Sequence, residues 1–563
     1  MARIDSISPS RDKILPFIPK ASDNGPEKTF KTIITDISGD GRNNIRVMCK
    51  EKVTEAPVMV PLQHEKKLAE FKSLLVDLHA LGSLAGLAHW DLETYMPQKA
   101  LEARANYLST VARYSHEIFT SEKMEELLKY LSEEEVLKKL SPVDKKTVEE
   151  TLRDFKKAKK LPSDFVKELS ETTTKAHNIW QEARKTSDFS KFAPILEKII
   201  SLKRKEAELV GYEGSPYNAL LDDYERGMTT EKLDKLFSDL KRELVPIIKK
   251  IQESNVQPPV DISKKSFSHE KQMEVSKELL RLIGFDFDAG RIDLTTHPFC
   301  AGIAPGDTRI TTRIDEHDPF SAISTALHEG GHGLYDQGMD EKLANTSLMD
   351  GSSLGMHESQ SRLMENIVGR GLAFWKFYFP KLKEKFKDEL KDVSLEDWFK
   401  LINDVRPSLI RVESDEVTYN LHIILRYEIE KALIEGKLAV QDLPKVWNEK
   451  MKDYLGITPA CDADGVLQDV HWSGGGIGYF ATYTLGNLYS AQIFNTAKKE
   501  IPNLEEEIEK GNIKVLREWL REKIHKHGKM FTTEEIIKQV TGETLNPKYF
   551  IEYIRNKFSK IYP

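Results

Sequence analysis

The chain has 563 residues, of which 39% are hydrophobic and 31% charged, a balance that excludes collagen-like, low-complexity and wholly disordered polymers. Lys plus Arg total 83 against 90 Asp plus Glu, and the net charge of −7 is spread along the chain, which gives no electrostatic case for nucleic acid. Three scattered cysteines, Cys49, Cys300 and Cys461, exclude a disulfide framework or a cysteine-based zinc knuckle and fit a reducing compartment.

The first residues, Met1-Ala2-Arg3-Ile4-Asp5, lack the apolar stretch of a secretion signal, and no 18-residue apolar run follows. The most apolar segment, Leu74 to Trp90, is broken by Asp77, His79 and His89. The expectation is a cytoplasmic protein with no membrane partner. Residues 1–62 differ from the rest: Pro, Gly, Asn and Ser punctuate them, and β-branched pieces such as Thr32-Ile33-Ile34-Thr35 replace helical periodicity. This segment is expected to be a flexible N-terminal extension. Within it Asp36-Ile37-Ser38-Gly39-Asp40-Gly41 resembles half a calcium loop, but the later carboxylates are missing and a solvated turn is expected.

From about Lys66 apolar residues recur at three- and four-residue steps, as in Phe165, Leu169 and Thr172 or Leu233, Leu236 and Leu240, which predicts amphipathic helices. Between Phe285 and Ile314 that periodicity stops. Gly290, Pro298, Gly302, Pro305 and Gly306 interrupt it, and Asp307 to Ile314 alternates polar and apolar residues like a strand. Helices then resume, so the fold class is mainly α with one small β-sheet. Residues 63–290 are expected to form a helical wall and 291–563 the metal-binding part of one domain.

The sharpest signal lies in that second part. In Ala326-Leu327-His328-Glu329-Gly330-Gly331-His332-Gly333 two histidines stand four apart with a glutamate after the first. On a helix, positions i and i+4 share a face, so both imidazoles can reach one metal ion while Glu329 addresses a water on it. Fifteen histidines in 563 residues make on the order of 0.04 chance matches to this pattern. Asp318 as cap, Pro319 at the first helical position and Gly338 at the end predict the helix itself. Two interior glycines cost about 1 kcal/mol each relative to alanine, so Gly330 and Gly331 imply a close approach to that backbone, by a substrate strand or a neighbouring helix.

A catalytic zinc takes three protein ligands, and the candidates for the third are Glu358 and its neighbour His357, in Met356-His357-Glu358-Ser359-Gln360-Ser361-Arg362. Arg362, one helical turn on, is placed to orient such a ligand. Because histidine ligands must be deprotonated, metal affinity is expected to fall as pH drops through about 6.

Six ordered motifs closely resemble the carboxypeptidase Taq family of metallocarboxypeptidases: His297-Pro298-Phe299, Asp307-Thr308-Arg309-Ile310-Thr311, the His328 motif, His357-Glu358-Ser359-Gln360, Ile410-Arg411-Val412-Glu413-Ser414-Asp415 and Gly465 to Trp472. The resemblance runs from about Lys66 to Pro563, with Ser414 where the family usually has alanine. It implies a large helical two-sided body with a deep groove, similar to neurolysin and angiotensin-converting enzyme, and a homodimer. It also implies removal of single C-terminal residues from peptides with broad preference, with one zinc per chain, or cobalt as substitute, on His328, His332 and Glu358. Glu329 would then be the catalytic base.

His471, Tyr479 and Tyr483 lie in a glycine-rich turn that resembles the oxyanion-donor region of related metallopeptidases, although the two tyrosines can also simply pack. A free C-terminal carboxylate calls for arginine, which binds it with two parallel hydrogen bonds. Arg309 and Arg411 are the candidates; the alternative is pairing with Asp307 or Asp415 on their own segments. His297 is expected to line the site, and Asp415, Glu416, Tyr419, His422 and Arg426 to share one helix. The alternatives are an endopeptidase or dipeptidase of the same architecture, and an inactive helical binding protein.

Overall fold

Helices carry the chain from Gln63 to Ile561 around one three-stranded sheet, in a computed structural model that describes residues 62–563 except 255 and 257. The expected N-terminal extension, its strand-like piece and the half calcium loop at Asp36–Gly41 lie outside the described residues, Leu62 excepted.

Periodicity becomes packing as the sequence implies. In the helix Ser163–Thr186, Phe165 and Thr172 are buried, and in Thr230–Glu253 so are Leu233 and Leu240. The main core is assembled from residues between Ala176 and Tyr562. A second, smaller core holds Phe71, Leu75, Met124, Leu127, Leu128, Leu131, Val136, Val148 and Phe155. The first helix, Gln63–Glu93, buries only Phe71, Leu75 and Trp90. Its apolar stretch reaches a mean hydropathy of 1.2 with 11% of the window buried, so by length and composition alone it could cross a membrane. Val76, Ala80 and Ser83 of that stretch line a large cavity, while Leu84 and Leu87 are exposed.

The sheet is β1 (Gly290–Leu294), β2 (Cys300–Ala304) and β3 (Asp307–Thr312) in the order β1-β3-β2. β1 runs parallel to β3 with Ile292 opposite Ile310; β2 runs antiparallel with Cys300 opposite Ile310. The predicted strand therefore ends two residues early, at Thr312. Gly306, at φ +83°, makes the tight turn between β2 and β3, a conformation glycine adopts without steric cost.

Next comes the helix Pro319–Gly338, with the predicted start and end. The Asp318 carboxylate accepts from the backbone N–H of Phe320 (3.0 Å) and Ser321 (3.3 Å), and Pro319 needs no donor there. The two interior glycines meet neighbouring helices. A Cβ on Gly330 would lie 2.7 Å from Leu280 and 2.8 Å from Ile283, in the helix His269–Ile283. On Gly331 it would lie 2.4 Å from the Gln360 carbonyl oxygen and 2.6 Å from Ser361 Cα, in the helix Leu354–Arg362.

That last helix is capped by Ser353, whose hydroxyl accepts from Met356 N–H at 3.0 Å. It runs on into a π-helical turn, Leu363–Val368, closed by Gly369 N–H donating to the Met364 carbonyl at 2.9 Å. The expectation of one helix from Asp415 to Arg426 is corrected at its start. The helix spans Tyr419–Ile434, and the Asp415 carboxylate instead accepts from Val417 N–H (2.9 Å) and Thr418 N–H (3.0 Å) in the turn before it.

Two glycine substitutions separate these effects. Gly331→Ala pushes backbone against backbone and is expected to cost about 1–3 kcal/mol, lowering the melting temperature of the metal-free protein by several degrees. Gly82→Ala, mid-helix with nothing within 4 Å of the added Cβ, is expected to stabilise by up to about 1 kcal/mol in the same melting experiment.

Candidate metal centre

His328 and His332 project from one face of the helix Pro319–Gly338, their ring centroids 5.0 Å apart. The helix Leu354–Arg362 crosses behind and presents Glu358. Glu358 Oε2 lies 3.6 Å from His328 Nε2 and 3.4 Å from His332 Nε2. All three donor atoms fall within 4.8 Å of one another, and no other such group occurs among the described residues. Two imidazoles and one carboxylate suit zinc or a similar divalent ion. Their remaining atoms are already engaged; of the converging atoms, Glu358 Oε2 also accepts from Ser361 Oγ at 3.1 Å and keeps a second lone pair for the ion.

Each candidate ligand has its own support. His328 Nδ1 lies 2.8 Å from Glu365 Oε2, and Ser324 Oγ donates to Glu365 Oε1 at 2.8 Å. Arg362 Nε donates to Glu358 Oε1 at 2.6 Å, and its Nη1 donates to Glu365 Oε2 at 3.2 Å, so one guanidinium ties both carboxylates together. His332 Nδ1 lies 2.6 Å from His357 Nδ1, and His357 Nε2 lies 3.1 Å from Asp336 Oδ1. Between the two candidates for third ligand, the converging atom belongs to Glu358.

Buried charge sets the proton affinities. Burial alone would lower the pKa of His328, but Glu358 and Glu365 outweigh it and push it up to about 9. Burial pushes Glu329 up to about 7, with His328 opposing and Glu358 assisting. Burial lowers His332 to about 4. Burial opposes ionisation of Glu358 and Glu365 too, yet Arg362 and His328 hold Glu358 well below the usual carboxylate range and Glu365 at about 2. Glu329 accepts no hydrogen bond from any described residue and faces a cavity of about 1400 Å³ that also opens onto His328, His332 and Glu358.

The sequence profile of the carboxypeptidase Taq (M32) metallopeptidases matches residues 70–558. The chain belongs to that family. Its relatives include carboxypeptidase 1 of Bacillus subtilis, 43% identical over 493 residues that cover 88% of this chain and 98% of the relative. Thermostable carboxypeptidase 1 of Thermus thermophilus is 40% identical, covering 90% of this chain and all of the relative. The crystal structure of an M32 carboxypeptidase from Deinococcus radiodurans superposes with a TM-score of 0.86 at 37% identity, over 88% of this chain and 99% of that one.

Other sequence candidates in this M32 chain are distributed unevenly about the cavity. Tyr479 and Tyr483 line it, Tyr479 in the turn before the helix Ala481–Glu500 and Tyr483 inside that helix. Burial raises both phenol pKa values, so both remain protonated donors. His471 sits behind them, its Nε2 3.3 Å from Tyr483 Oη, and burial lowers its pKa to about 4, which keeps the ring neutral.

Arg411 is buried, donating to Asp469 Oδ1 (2.9 Å) and Tyr419 Oη (2.9 Å), with its guanidinium 5.0 Å from the Tyr483 ring centre. Its carboxylate partner is Asp469, not Asp415. Asp469 Oδ2 also accepts from Arg426 Nε at 2.7 Å, so two guanidiniums share one carboxylate behind Tyr483. Arg309 is held by both oxygens of Asp307 (2.8 and 2.9 Å) and stacks on Trp90 at 4.4 Å. His297 is exposed on the loop between β1 and β2, where Pro298 and Phe299 form the cavity wall. His422 is fully buried.

Sequence reasoning passed over Glu365 and Asp336. Both carried a signal: Glu358, Arg362 and Glu365 are spaced i, i+4, i+7, and Asp336 continues the His328, His332 spacing by one more turn.

The elevated His328 pKa revises the pH dependence expected from the sequence. In the metal-free protein His328 is charged below about pH 9 and must shed its proton to become a ligand. Apparent metal affinity is therefore expected to fall from about pH 9 downward. Titration calorimetry at pH 7.5 in buffers of different ionisation heats should find about one proton released per ion bound; no release contradicts the raised His328 pKa.

Proposed function

We propose that this M32 metallocarboxypeptidase removes single C-terminal residues from peptides with broad side-chain preference, using one zinc ion, or cobalt in its place, on His328, His332 and Glu358. The observation that carries this reading is the convergence of those three donors on a cavity whose wall includes the unpaired carboxylate of Glu329. When bound, the ion supplies Lewis acidity to a water and to the scissile carbonyl.

The chain's own groups supply the rest. Glu329, with a pKa brought near neutrality by burial, takes a proton from the attacking water and later delivers it to the departing amine. Tyr479 and Tyr483, protonated at the cavity wall, donate hydrogen bonds to the oxygen that becomes negative, and each such donor is worth about 3–4 kcal/mol. His471 acts one step back, holding the Tyr483 hydroxyl in place. Two arginines on the single carboxylate of Asp469 leave a positive charge behind Tyr483, which draws the substrate's C-terminal carboxylate toward that end of the groove. Arg411 is thus better placed for this than Arg309, which Asp307 already holds at both oxygens. His297 borders the entrance. A cytoplasmic homodimer acting on peptides completes the reading.

An endopeptidase or dipeptidase would share the same metal chemistry. Time-resolved mass spectrometry on one peptide distinguishes them: a ladder shortening by one C-terminal residue at a time is expected, and internal fragments reject the carboxypeptidase. Glu329→Gln should keep one bound metal by elemental analysis while losing about 10²–10⁴ of kcat; undiminished hydrolysis would remove Glu329 from its role.

A further inference from the structure

His332 Nδ1 and His357 Nδ1 are 2.6 Å apart, and two nitrogens that close must share one proton between them. Only two neutral arrangements exist. In the first, His332 Nδ1–H donates to His357 Nδ1, His357 Nε2–H donates to Asp336 Oδ1 at 3.1 Å, and His332 Nε2 keeps its lone pair on the side of Glu358. In the second, His357 Nδ1–H donates to His332. His357 Nε2 then turns a lone pair toward the Asp336 carboxylate, and His332 carries its hydrogen on Nε2, the atom that has to bind metal. Repulsion between that lone pair and the carboxylate rejects the second arrangement.

We propose that Asp336 and His357 are positioning residues that act in series, locking His332 in the one tautomer that presents Nε2 to the metal ion. His328 receives the equivalent service from Glu365 directly. The relay is built into the fold. The His357 ring lies 5.0 Å from the ring of Tyr335, and a Cβ on Gly351 would come within 2.8 Å of it, so the ring is closely packed on both sides. Asp336 is seated in the same way: its Oδ2 accepts from Cys300 Sγ at 3.6 Å, and a Cβ on Gly302 of β2 would strike that oxygen at 2.8 Å. Gly302 leaves the space the carboxylate occupies.

This rests on the metal-centre reading, and one experiment separates their failures. Zinc dissociation constants are measured by competition with a chromophoric chelator, and the cobalt(II) protein is examined by visible absorption. Asp336→Ala and His357→Phe should each weaken zinc binding about 10–100-fold and alter the cobalt bands. Asp336→Glu should recover part of the loss. Because Asp336 acts only through His357, adding Asp336→Ala to His357→Phe should change nothing further. Melting of the metal-free proteins reports folding, and if His357→Phe does not fold, Asp336→Ala at the cavity wall carries the test with its Glu rescue. Dissociation constants within twofold of the unaltered chain, or additive losses in the double variant, overturn the relay. An unaltered chain that binds no zinc overturns the metal centre as well.

Discussion

Two helices cross at Gly331 with backbone laid against backbone, and the metal centre depends on that contact. Any side chain at 331 would occupy the place of the Gln360 carbonyl and Ser361, and Glu358 would move away from His328 and His332. The opposite side of the same helix is held as closely: a Cβ on Gly486 of the helix Ala481–Glu500 would lie 2.5 Å from Glu358 Cγ. The helix that carries Glu358 is thus gripped between two glycine faces. An imidazole pair alone is common; this grip brings a buried carboxylate to 3.4 and 3.6 Å from both rings.

Such burial has an electrostatic consequence. Glu329, Glu358 and Glu365 gather around Arg362, three carboxylates to one guanidinium, in a setting where isolated charge costs several kcal/mol. Ionised together they leave two negative charges unmatched. The rise of His328 to about 9 expresses that imbalance, burial lifts Glu329 to about 7, and two bound protons would neutralise the cluster. A divalent cation carries the equivalent charge. The site's chemistry therefore specifies the charge of its ion more firmly than its element, since ligand type alone admits several first-row metals.

The helical body, the strand at Asp307, the helix from Pro319 to Gly338 and the shared face of the histidine pair within it were all legible in the sequence, because each rests on local periodicity, capping or i, i+4 spacing. The close neighbours implied by Gly330 and Gly331 were legible as well, though not which of two kinds they were. What escaped was partner choice. Arg411 lies four residues from Asp415 and pairs with Asp469, 58 positions away, since the turn before Tyr419 spends Asp415 on capping N–H groups. Arg309, by contrast, takes the Asp307 partner that the sequence offered, because alternate strand residues share one face of β3. Spacing along a helix reveals which side chains share a face; only the crossing of that helix with another reveals what they meet.

The unlike supports behind the two imidazoles then make the ligands unlike. A carboxylate accepting from Nδ1–H lends that ring electron density and raises the basicity of its Nε2, whereas a neutral imidazole in the same place lends less. His328 stands against Glu365, itself ion-paired to Arg362; His332 reaches its carboxylate, Asp336, only through the His357 ring. Of the two candidate ligands, His328 would thereby be the stronger donor. The weaker donor stands on the same helical face as Asp336, whose other oxygen meets β2 at Cys300. β2 is an edge strand of the sheet and forms cavity wall at Cys300 and Gly302. The support behind His332 therefore ends at the cavity wall, whereas the support behind His328 is Glu365 of the π-helical turn, held by Ser324 and Arg362.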